Sequence, residues 1–469
     1  MKEFTSKTLS FTDCLSAAND TKYMAVNEDA LLGIPRVLSS YFCENGKKKC
    51  TAACFSDKNT FAAAGKAVQE IVESSGTDVA ESYIFEDEIH ADYNHVETIK
   101  AKLKNILEKT TAGNEIVVPV AAGSGTVNDL VKRAADELAL PYLCVPTAAS
   151  VDGYTAFGAA ILYDGFKQTM SCKAPLAVVA DTKILAEAPA YLTSSGFGDL
   201  AGKIIAGTDW IIADHLFELD GKGEYAPGLA AIDSTAWEMV QNPLKNNLTL
   251  SINAAKGDTD AVKTLFEGLG ITGFALQYMK DSRAVSGCEH MWSHVWEMEN
   301  LCKDGVPVTH GHKVTMGTLA ATAFTECLFS EKPALCKDIP EWAEREKTVS
   351  TSFRNIPHVV PSVLEKTREK FIYNKESLIR LREGILDCWD GIKNDVFEKL
   401  PPYAEFRSML CKAGCPVKPE AINLTKQRVI ETAAQAQMIR NRFTVLDLAF
   451  ELGVFDNVLK KMESPEYFE

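Results

Sequence analysis

The sequence lacks a long apolar run and lacks an excess of positive charge. No stretch approaches about 18 consecutive apolar residues, the length that a membrane-spanning helix requires, so we expect no membrane span. The first residues, MKEFTSKTLSFTDC, also lack the apolar segment of a secretory signal. The net charge of −15 argues against a nucleic-acid partner, because phosphate binding depends on clustered Lys and Arg.

Paired cysteine motifs are missing as well. The thirteen cysteines are an odd number, and no two of them have C-x-x-C spacing. Cys50 and Cys54, like Cys411 and Cys415, are four residues apart, which suits a helical face or a loop better than a zinc knuckle. The pattern therefore predicts mostly buried, reduced thiols in a cytoplasmic protein.

The order of the predicted elements divides the chain of 469 residues into two parts. Short apolar runs alternate with helical stretches in residues 1–188, which predicts an α/β, Rossmann-like nucleotide-binding domain with a parallel sheet. Beyond Pro189, strand-like runs nearly vanish and helical periodicity dominates, for example over residues 425–452. We therefore predict an all-helical domain over residues 189–469, with a surface loop at residues 221–228.

A glycine-containing loop lies between a predicted strand and a predicted helix. Gly123-Ser124-Gly125 follows the apolar run of residues 115–120. Glycines allow the backbone to approach a phosphate, and free amides at a helix N-terminus attract an anion. The loop is neither the Rossmann G-x-G-x-x-G nor a Walker sequence. A structural turn and a pyrophosphate-binding loop both fit this pattern.

Asp57 follows another predicted strand, which ends at Phe55. A carboxylate there is placed to accept hydrogen bonds from an adenosine ribose and would repel a 2′-phosphate, favouring NAD over NADP. An aspartate at this position also fits a helix N-cap. The sequence leaves both interpretations open.

Four of the eight histidines lie between His290 and His312. His290 and His294 are spaced i, i+4, which places both rings on one face of a helix. His310 precedes a glycine, and Asp199 follows Gly196-Phe197-Gly198 upstream. Imidazoles and a carboxylate are the ligands of a catalytic divalent metal that keeps an open position. Although a single histidine is usually structural, this combination favours a metal site.

Several segments together resemble the superfamily of iron-containing alcohol dehydrogenases and dehydroquinate synthases and, within it, the sn-glycerol-1-phosphate dehydrogenase family. The resemblance extends over nearly the whole chain. The matching segments are residues 56–65, 123–129, 145–153, 195–200, 282–290 and 439–447.

The resemblance implies a ligand set and a cofactor. Asp199, His290 and His310 would coordinate one divalent metal, zinc or nickel, and His312 would be a bystander. The cofactor would be NAD or NADP. The residues expected at the nucleotide are Asp57, Gly123, Ser124, Gly125, Thr126, Asp129, Thr147 and Ser150.

The resemblance further implies interconversion of dihydroxyacetone phosphate and sn-glycerol 1-phosphate by a homo-oligomer. We expect catalytic roles for His294, beside the metal, and for Asp152. Asp152, Lys203 and Arg283 are the expected substrate-binding residues, with the two cations as candidates for a phosphate anchor.

Departures from the family pattern leave the substrate open. The family usually has serine where Cys288 stands, and the wider superfamily usually has glutamate where His312 stands. A dehydrogenase of another polyol or polyol phosphate is one alternative. A lyase like dehydroquinate synthase is a second, although it would have glutamate at the position of Asp199. A non-catalytic binding module is a third.

Overall fold

A computed structural model describes most of the chain, and its contacts group the residues into two units. The described residues are 6–43, 45, 48–80, 82–86, 89–110, 115–163, 166–219, 228–372 and 374–469. We call Thr8–Leu200 with Lys245–Asp281 the sheet unit, and Met1–Lys7, Ala201–Leu244 and Ser282–Glu469 the helical unit. The division after Leu200 falls inside one helix, Ala190–Leu219.

Strands are numbered in chain order and belong mainly to the sheet unit. They are β1 Tyr23–Asn27, β2 Lys49–Asp57, β3 Asp78–Val79, β4 Tyr83–Phe85, β5 Glu115–Gly123, β6 Leu143–Pro146, β7 Ala159–Tyr163, β8 Phe166–Met170, β9 Ala177–Asp181, β10 Cys302–Lys303 and β11 Val306–Pro307.

Helices occur in both units and dominate the helical one. They are α1 Phe11–Ala17, α2 Ile34–Val37, α3 Lys58–Thr60, α4 Lys66–Ser74, α5 Tyr93–Thr110, α6 Gly125–Glu137, α7 Thr182–Glu187, α8 Ala190–Leu219, α9 Ser234–Val240, α10 Leu244–Leu250, α11 Thr259–Met279, α12 Cys288–Met298, α13 His310–Phe329, α14 Trp342–Ser352, α15 Val360–Glu369, α16 Lys375–Asp387, α17 Trp389–Lys399, α18 Tyr403–Lys412, α19 Lys426–Met438, α20 Val445–Glu451 and α21 Phe455–Lys461.

The main sheet is parallel throughout, in the order β1-β9-β6-β5-β2, with β3 and β4 both paired to β2. Its central strands are buried, as their nearly continuous runs of Val and Ala require in a sheet covered on both faces. From β2 the chain first adds β3 and β4 on one side and then β5 on the other. Ligands of such sheets bind outside the carboxyl ends of the strands at this reversal point. Asp57 and Gly123 end the two strands that flank it.

The fold class predicted from the sequence is confirmed. The sheet unit carries the parallel sheet, and among its described residues the helical unit contains helices and one short antiparallel pair, β10 and β11. Strand β1 and the antiparallel hairpin of β7 and β8 were not predicted.

The helix predicted over residues 425–452 is interrupted, since α19 ends at Met438 and α20 begins at Val445. Asp447 accepts a hydrogen bond from the Thr444 amide at 2.9 Å, which starts the new helix.

The contacts group the segment Lys245–Asp281 with the N-terminal part of the chain. The contiguous domains predicted on either side of Pro189 stay a prediction. The predicted loop at 221–228 lies outside the described residues except for Gly228.

All thirteen cysteines lie within the described ranges and are free, and nine of them are buried. Within the described part of the chain, no helix has the length and apolarity needed to cross a membrane.

A buried lysine fixes the segment that follows β6. Lys132, on α6, is fully buried, and its ammonium group donates to the carbonyls of Gly153 at 2.6 Å, Ala156 at 3.0 Å and Gly158 at 3.1 Å. Asp129 lies 3.6 Å from the same ammonium group and also accepts from the Ala160 amide at 3.2 Å. Helix α6 therefore holds residues 153–160 in place.

We expect Lys132→Met to loosen this segment, because three carbonyls, two of them buried, would lose their donor. A loss of about 2 kcal/mol in local opening free energy corresponds to roughly thirtyfold faster amide exchange in residues 153–163. Hydrogen exchange followed by mass spectrometry measures this change. Lys104→Met, at an exposed position of α5, is the control. Equal exchange in both variants would contradict the assigned role of Lys132.

Candidate metal centre and nucleotide loop

Three predicted ligands from three helices lie together. Asp199 is on α8, His290 is on α12, and His310 is the first residue of α13. One ligand atom from each residue lies within 4.8 Å of the other two. Asp199 and His290 are buried, whereas the His310 side chain is 24 % exposed. The arrangement provides one carboxylate and two imidazoles on a partly accessible site.

Carboxylates orient both imidazoles. The Nδ1 atom of His290 lies 2.5 Å from Oε1 of Glu289, and Nδ1 of His310 lies 2.8 Å from Oε1 of Glu297. Since a carboxylate accepts, Nδ1 of each ring carries the proton, and each Nε2 presents a lone pair. Such carboxylate–histidine pairs are the usual support of metal ligands. The donor set therefore fits a divalent metal.

The third candidate ligand, Asp199, is oriented by the segment after β6. The backbone amide of Asp152 donates to Oδ2 of Asp199 at 2.9 Å. This bond occupies one lone pair of the carboxylate and fixes its direction. It also ties Asp199 to the chain segment that contains Thr147 and Ser150.

Close helix packing brings the two histidines together. A Cβ atom on Gly317 of α13 would lie 2.2 Å from the carbonyl oxygen of Glu289, so only glycine allows α12 and α13 to approach this closely.

The Asp209 carboxylate lies at the start of α12, where a Cβ atom on Gly287 would be 2.6 Å from it. The Asp209 carboxylate accepts from the amides of Cys288 at 2.7 Å and Val445 at 2.8 Å. Burial nevertheless raises the pKa of Asp209 to about 7.

His294 lies beside the three candidate ligands. Its ring centroid is 6.1 Å from that of His290 and 6.2 Å from that of His310. Its Nδ1 contacts Oε2 of Glu297 at 3.0 Å, and Nη2 of Arg440 lies 3.2 Å from its Nε2. Burial, with a smaller contribution from Arg440, lowers the pKa of His294 to about 3. The ring is therefore neutral. Its catalytic role stays a prediction.

His312 is separate from this group. Among the described residues, the cluster of ligand atoms comprises Asp199, His290 and His310 and does not include His312. Burial lowers the pKa of His312 to about 4, so this ring is also neutral near pH 7.

The glycine loop joins β5 to α6 at the carboxyl edge of the sheet. Ser124 is the N-cap of α6, but within the described part of the chain its side chain caps none of the first-turn amides. A helix N-terminus of this kind attracts an anion. A Cβ atom on Gly123 would lie 2.4 Å from Val127, whereas on Gly125 the nearest described atom would be Val151 Cγ2 at 3.3 Å. Gly123 is thus required by packing, and Gly125, next to Thr126, borders more open space.

The segment after β6 contains two more predicted nucleotide residues. Thr147 donates its amide to the carbonyl of Gly123 at 3.1 Å, which places it beside the glycine loop. The Ser150 hydroxyl lies 3.2 Å from the hydroxyl of Tyr154. Both Thr147 and Ser150 are buried.

Asp57 and Asp129 have structural partners. Asp57 caps α3, since its Oδ1 accepts from the Thr60 amide at 2.9 Å, while its backbone amide donates to the Thr60 hydroxyl at 3.0 Å. Asp129 supports Lys132 and Ala160, as described above. The nucleotide-binding roles of both residues stay predictions.

The predicted substrate cations are buried. Lys203 lies one turn after Asp199 on α8 and is fully buried. Arg283 is 9 % exposed, and its Nη2 donates to the carbonyl of Gly228 at 2.6 Å. The substrate-binding roles of Lys203, Arg283 and Asp152 stay predictions.

Four residues that shape this region had no predicted role in the site: Asp209, Glu289, Glu297 and Arg440. Glu297 lies three residues after His294, so helical spacing could have indicated this pair. Glu289 directly precedes His290, and helical spacing does not indicate a contact between adjacent residues. Arg440 lies 146 residues from His294 along the chain, and no local pattern points to that contact.

Comparisons with known proteins give consistent results. Residues 32–189 match the family model of iron-containing alcohol dehydrogenases. The chain is 34 % identical over 396 residues to a glycerol-1-phosphate dehydrogenase [NAD(P)+] of Bacillus velezensis, covering 84 % of each chain. It is 28 % identical to the enzyme of the same name from Methanosarcina mazei, over 64 % of this chain and 77 % of that one.

A solved structure supports the fold. The crystal structure of glycerol dehydrogenase from Schizosaccharomyces pombe superposes with a TM-score of 0.56 at 14 % identity, covering 99 % of this chain and 94 % of that chain. At this identity the likeness concerns the fold alone.

We expect Gly125→Val to weaken NADH binding, because the new side chain would fill space in front of the first turn of α6. The dissociation constant, measured by fluorescence titration, should rise at least about tenfold. Gly391→Val is the matched control, since among the described residues a Cβ atom at Gly391 would meet no atom within 4 Å apart from its chain neighbours and the backbone of its own helix. An unchanged dissociation constant for Gly125→Val would remove this loop from the nucleotide site.

We expect Glu297→Gln to weaken metal binding. Glutamine keeps the length of the side chain but offers one acceptor instead of two, so one of the two Nδ1–H groups loses its partner. The dissociation constant for Zn²⁺ or Ni²⁺, measured by competition with a chelator, should rise about 10- to 100-fold. Glu299→Gln is the control, because Glu299 pairs with Arg428. Equal metal affinity in both variants would contradict the role of Glu297.

Proposed function

Since the chain belongs to the glycerol-1-phosphate dehydrogenase family of the iron-containing alcohol dehydrogenases, we propose that it is an enzyme that interconverts dihydroxyacetone phosphate and sn-glycerol 1-phosphate with NAD(P). The observation that carries the proposal is the ligand set of Asp199, His290 and His310 in a chain so similar to relatives of that name.

The metal proposed for this site is zinc or nickel, since two imidazoles and one carboxylate suit divalent ions of intermediate softness. Asp199, His290 and His310 would hold it. When bound, the metal would supply Lewis-acid polarisation of the substrate carbonyl, and the nicotinamide would supply the hydride. Analysis of the purified protein for zinc, nickel and iron tests the choice of metal.

The neighbouring residues prepare these ligands before substrate arrives. Glu289 and Glu297 keep the protons of His290 and His310 on Nδ1, and the Asp152 amide holds Asp199. Fixed ligands need little reorganisation during the reaction, which is the main source of electrostatic catalysis.

Reduction of the carbonyl also requires a proton for the new hydroxyl group. Asp152 and His294 are the two groups that we propose for this role. The Asp152 amide contacts Asp199, and the neutral His294 ring lies beside both ligand histidines. Passing a proton through His294 would require its Nε2 to exchange Arg440 for substrate or water.

The nucleotide is proposed to bind at the carboxyl edge of the sheet, along the glycine loop and the segment of Thr147 and Ser150. Asp57 lies at the same edge, where a carboxylate favours NAD because it repels a 2′-phosphate. Its N-cap bond uses Oδ1 and is compatible with a ribose contact through the other oxygen.

On the substrate side, Lys203 and Arg283 are proposed to contribute positive charge. Their burial favours an effect on the local field over direct contact with the phosphate. We further propose that the protein acts in the cytoplasm as a homo-oligomer.

The proposal is tested by following NADH and NADPH absorbance with dihydroxyacetone phosphate and with free dihydroxyacetone, after loading with Zn²⁺ or Ni²⁺. We expect turnover of the phosphorylated substrate and loss of at least about a thousandfold in kcat for Asp199→Asn, which keeps the size of the side chain but removes the anionic ligand. NADH affinity of this variant should remain unchanged.

Activity on the free triose with none on its phosphate would refute the proposed substrate. Normal turnover and metal content in Asp199→Asn would refute the ligand assignment. Circular dichroism of the variant controls for misfolding.

A further inference from the structure

Arg440 lies in the interruption between α19 and α20, beside the candidate metal ligands. Its Nη2 is 3.2 Å from Nε2 of His294, whose ring is 6.1 and 6.2 Å from the rings of His290 and His310. The side chain is partly exposed, and all these residues belong to the helical unit. The guanidinium is thus one imidazole away from the ligand histidines.

The contact with His294 leaves the charge of Arg440 intact. Arginine donates through every nitrogen, so Nε2 of His294 must be the acceptor in this pair. Nδ1 of the same ring therefore carries the proton and donates to Glu297 at 3.0 Å. Glu297, His294 and Arg440 form a chain in which a neutral ring orients a cation.

The other cations near the site differ from Arg440 in being buried. Lys313 lies 3.4 Å from Glu297 and is buried. Arg442 is buried, with Nη1 on the carbonyl of Ser286 and Nη2 on the Ser282 hydroxyl. Lys203 and Arg283 are also buried, as described above. Arg440 is the partly exposed member of this set.

We propose that Arg440 binds the phosphate group of the substrate and so determines specificity for a phosphorylated triose over a free one. The inference rests on the proposed function. The planar fork of a guanidinium matches two phosphate oxygens, and the phosphate of the substrate is carried on the carbon next to the reacting carbonyl. The His294 ring lies between Arg440 and the two candidate ligand histidines, so the guanidinium is placed for a phosphate near a carbonyl that the metal would hold. His294 and Glu297 act as positioning residues for it.

The test compares Arg440→Met and Arg440→Lys with the wild type on dihydroxyacetone phosphate and free dihydroxyacetone. A charge-assisted hydrogen bond contributes about 1.5–3 kcal/mol, so kcat/KM for the phosphorylated substrate should fall roughly 10- to 150-fold in Arg440→Met. The kcat/KM for free dihydroxyacetone should fall several-fold less than that for the phosphorylated substrate, and the metal content should stay unchanged. Arg440→Lys should recover part of the loss, because it restores charge without the fork.

A second readout does not depend on turnover. Calorimetric titration with sn-glycerol 1-phosphate and with inorganic phosphate should show weaker binding to metal-loaded Arg440→Met by the same factor. Arg428→Met is the matched control, since Arg428 lies on the neighbouring α19 and pairs with Glu299. This control should bind and turn over like the wild type.

The outcomes separate the two proposals. Wild-type protein that does not turn over dihydroxyacetone phosphate overturns the proposed function. Wild-type protein that prefers the phosphorylated triose, together with an Arg440→Met variant that keeps the same preference and phosphate affinity, overturns the role of Arg440 alone. Equal losses on both trioses also overturn it, because they indicate a structural role.

Discussion

The close approach of α12 and α13 is the constraint on which the candidate metal centre depends. Gly317 removes the side chain that would otherwise collide with the Glu289 carbonyl. The approach brings His290 and His310 to a ring separation of 5.4 Å and lets Glu297 of α12 reach His310 of α13. Without this packing, the two imidazoles and their carboxylate partners would lie on separate surfaces.

A hydrogen bond connects the nucleotide segment to the carboxylate of this centre. The Asp152 amide binds Asp199, while Thr147 of the same segment contacts the glycine loop and Lys132 holds the residues that follow. The geometry of the carboxylate ligand therefore depends on the loop after β6 as well as on α8. The glycine loop and the segment after β6 lie close together because the parallel strands β5 and β6 end at the same edge of the sheet.

Much of the fold and the grouping of the three candidate ligands could be predicted from the sequence. Alternating strands and helices indicated the parallel sheet, and the spacing of His290, His310 and Asp199 with the family motifs indicated that these three side chains lie together. Other features depend on long-range packing. Segment 245–281 joins the sheet unit, and Arg440 reaches His294 across 146 residues. The prediction of one continuous helix over residues 425–452 was wrong, because Thr444 and Asp447 start a new helix although the apolar periodicity continues.

The two contacts of the Glu297 carboxylate should constrain how this region evolves. This carboxylate contacts the candidate ligand His310 through Oε1 and the neighbouring His294 through Oε2. A change at this position therefore disturbs two rings on two helices at once, and a change at either ring leaves a buried anion with one partner fewer. Positions 294, 297 and 310 should consequently vary together among related sequences, being inherited as one unit even where the surrounding helices diverge.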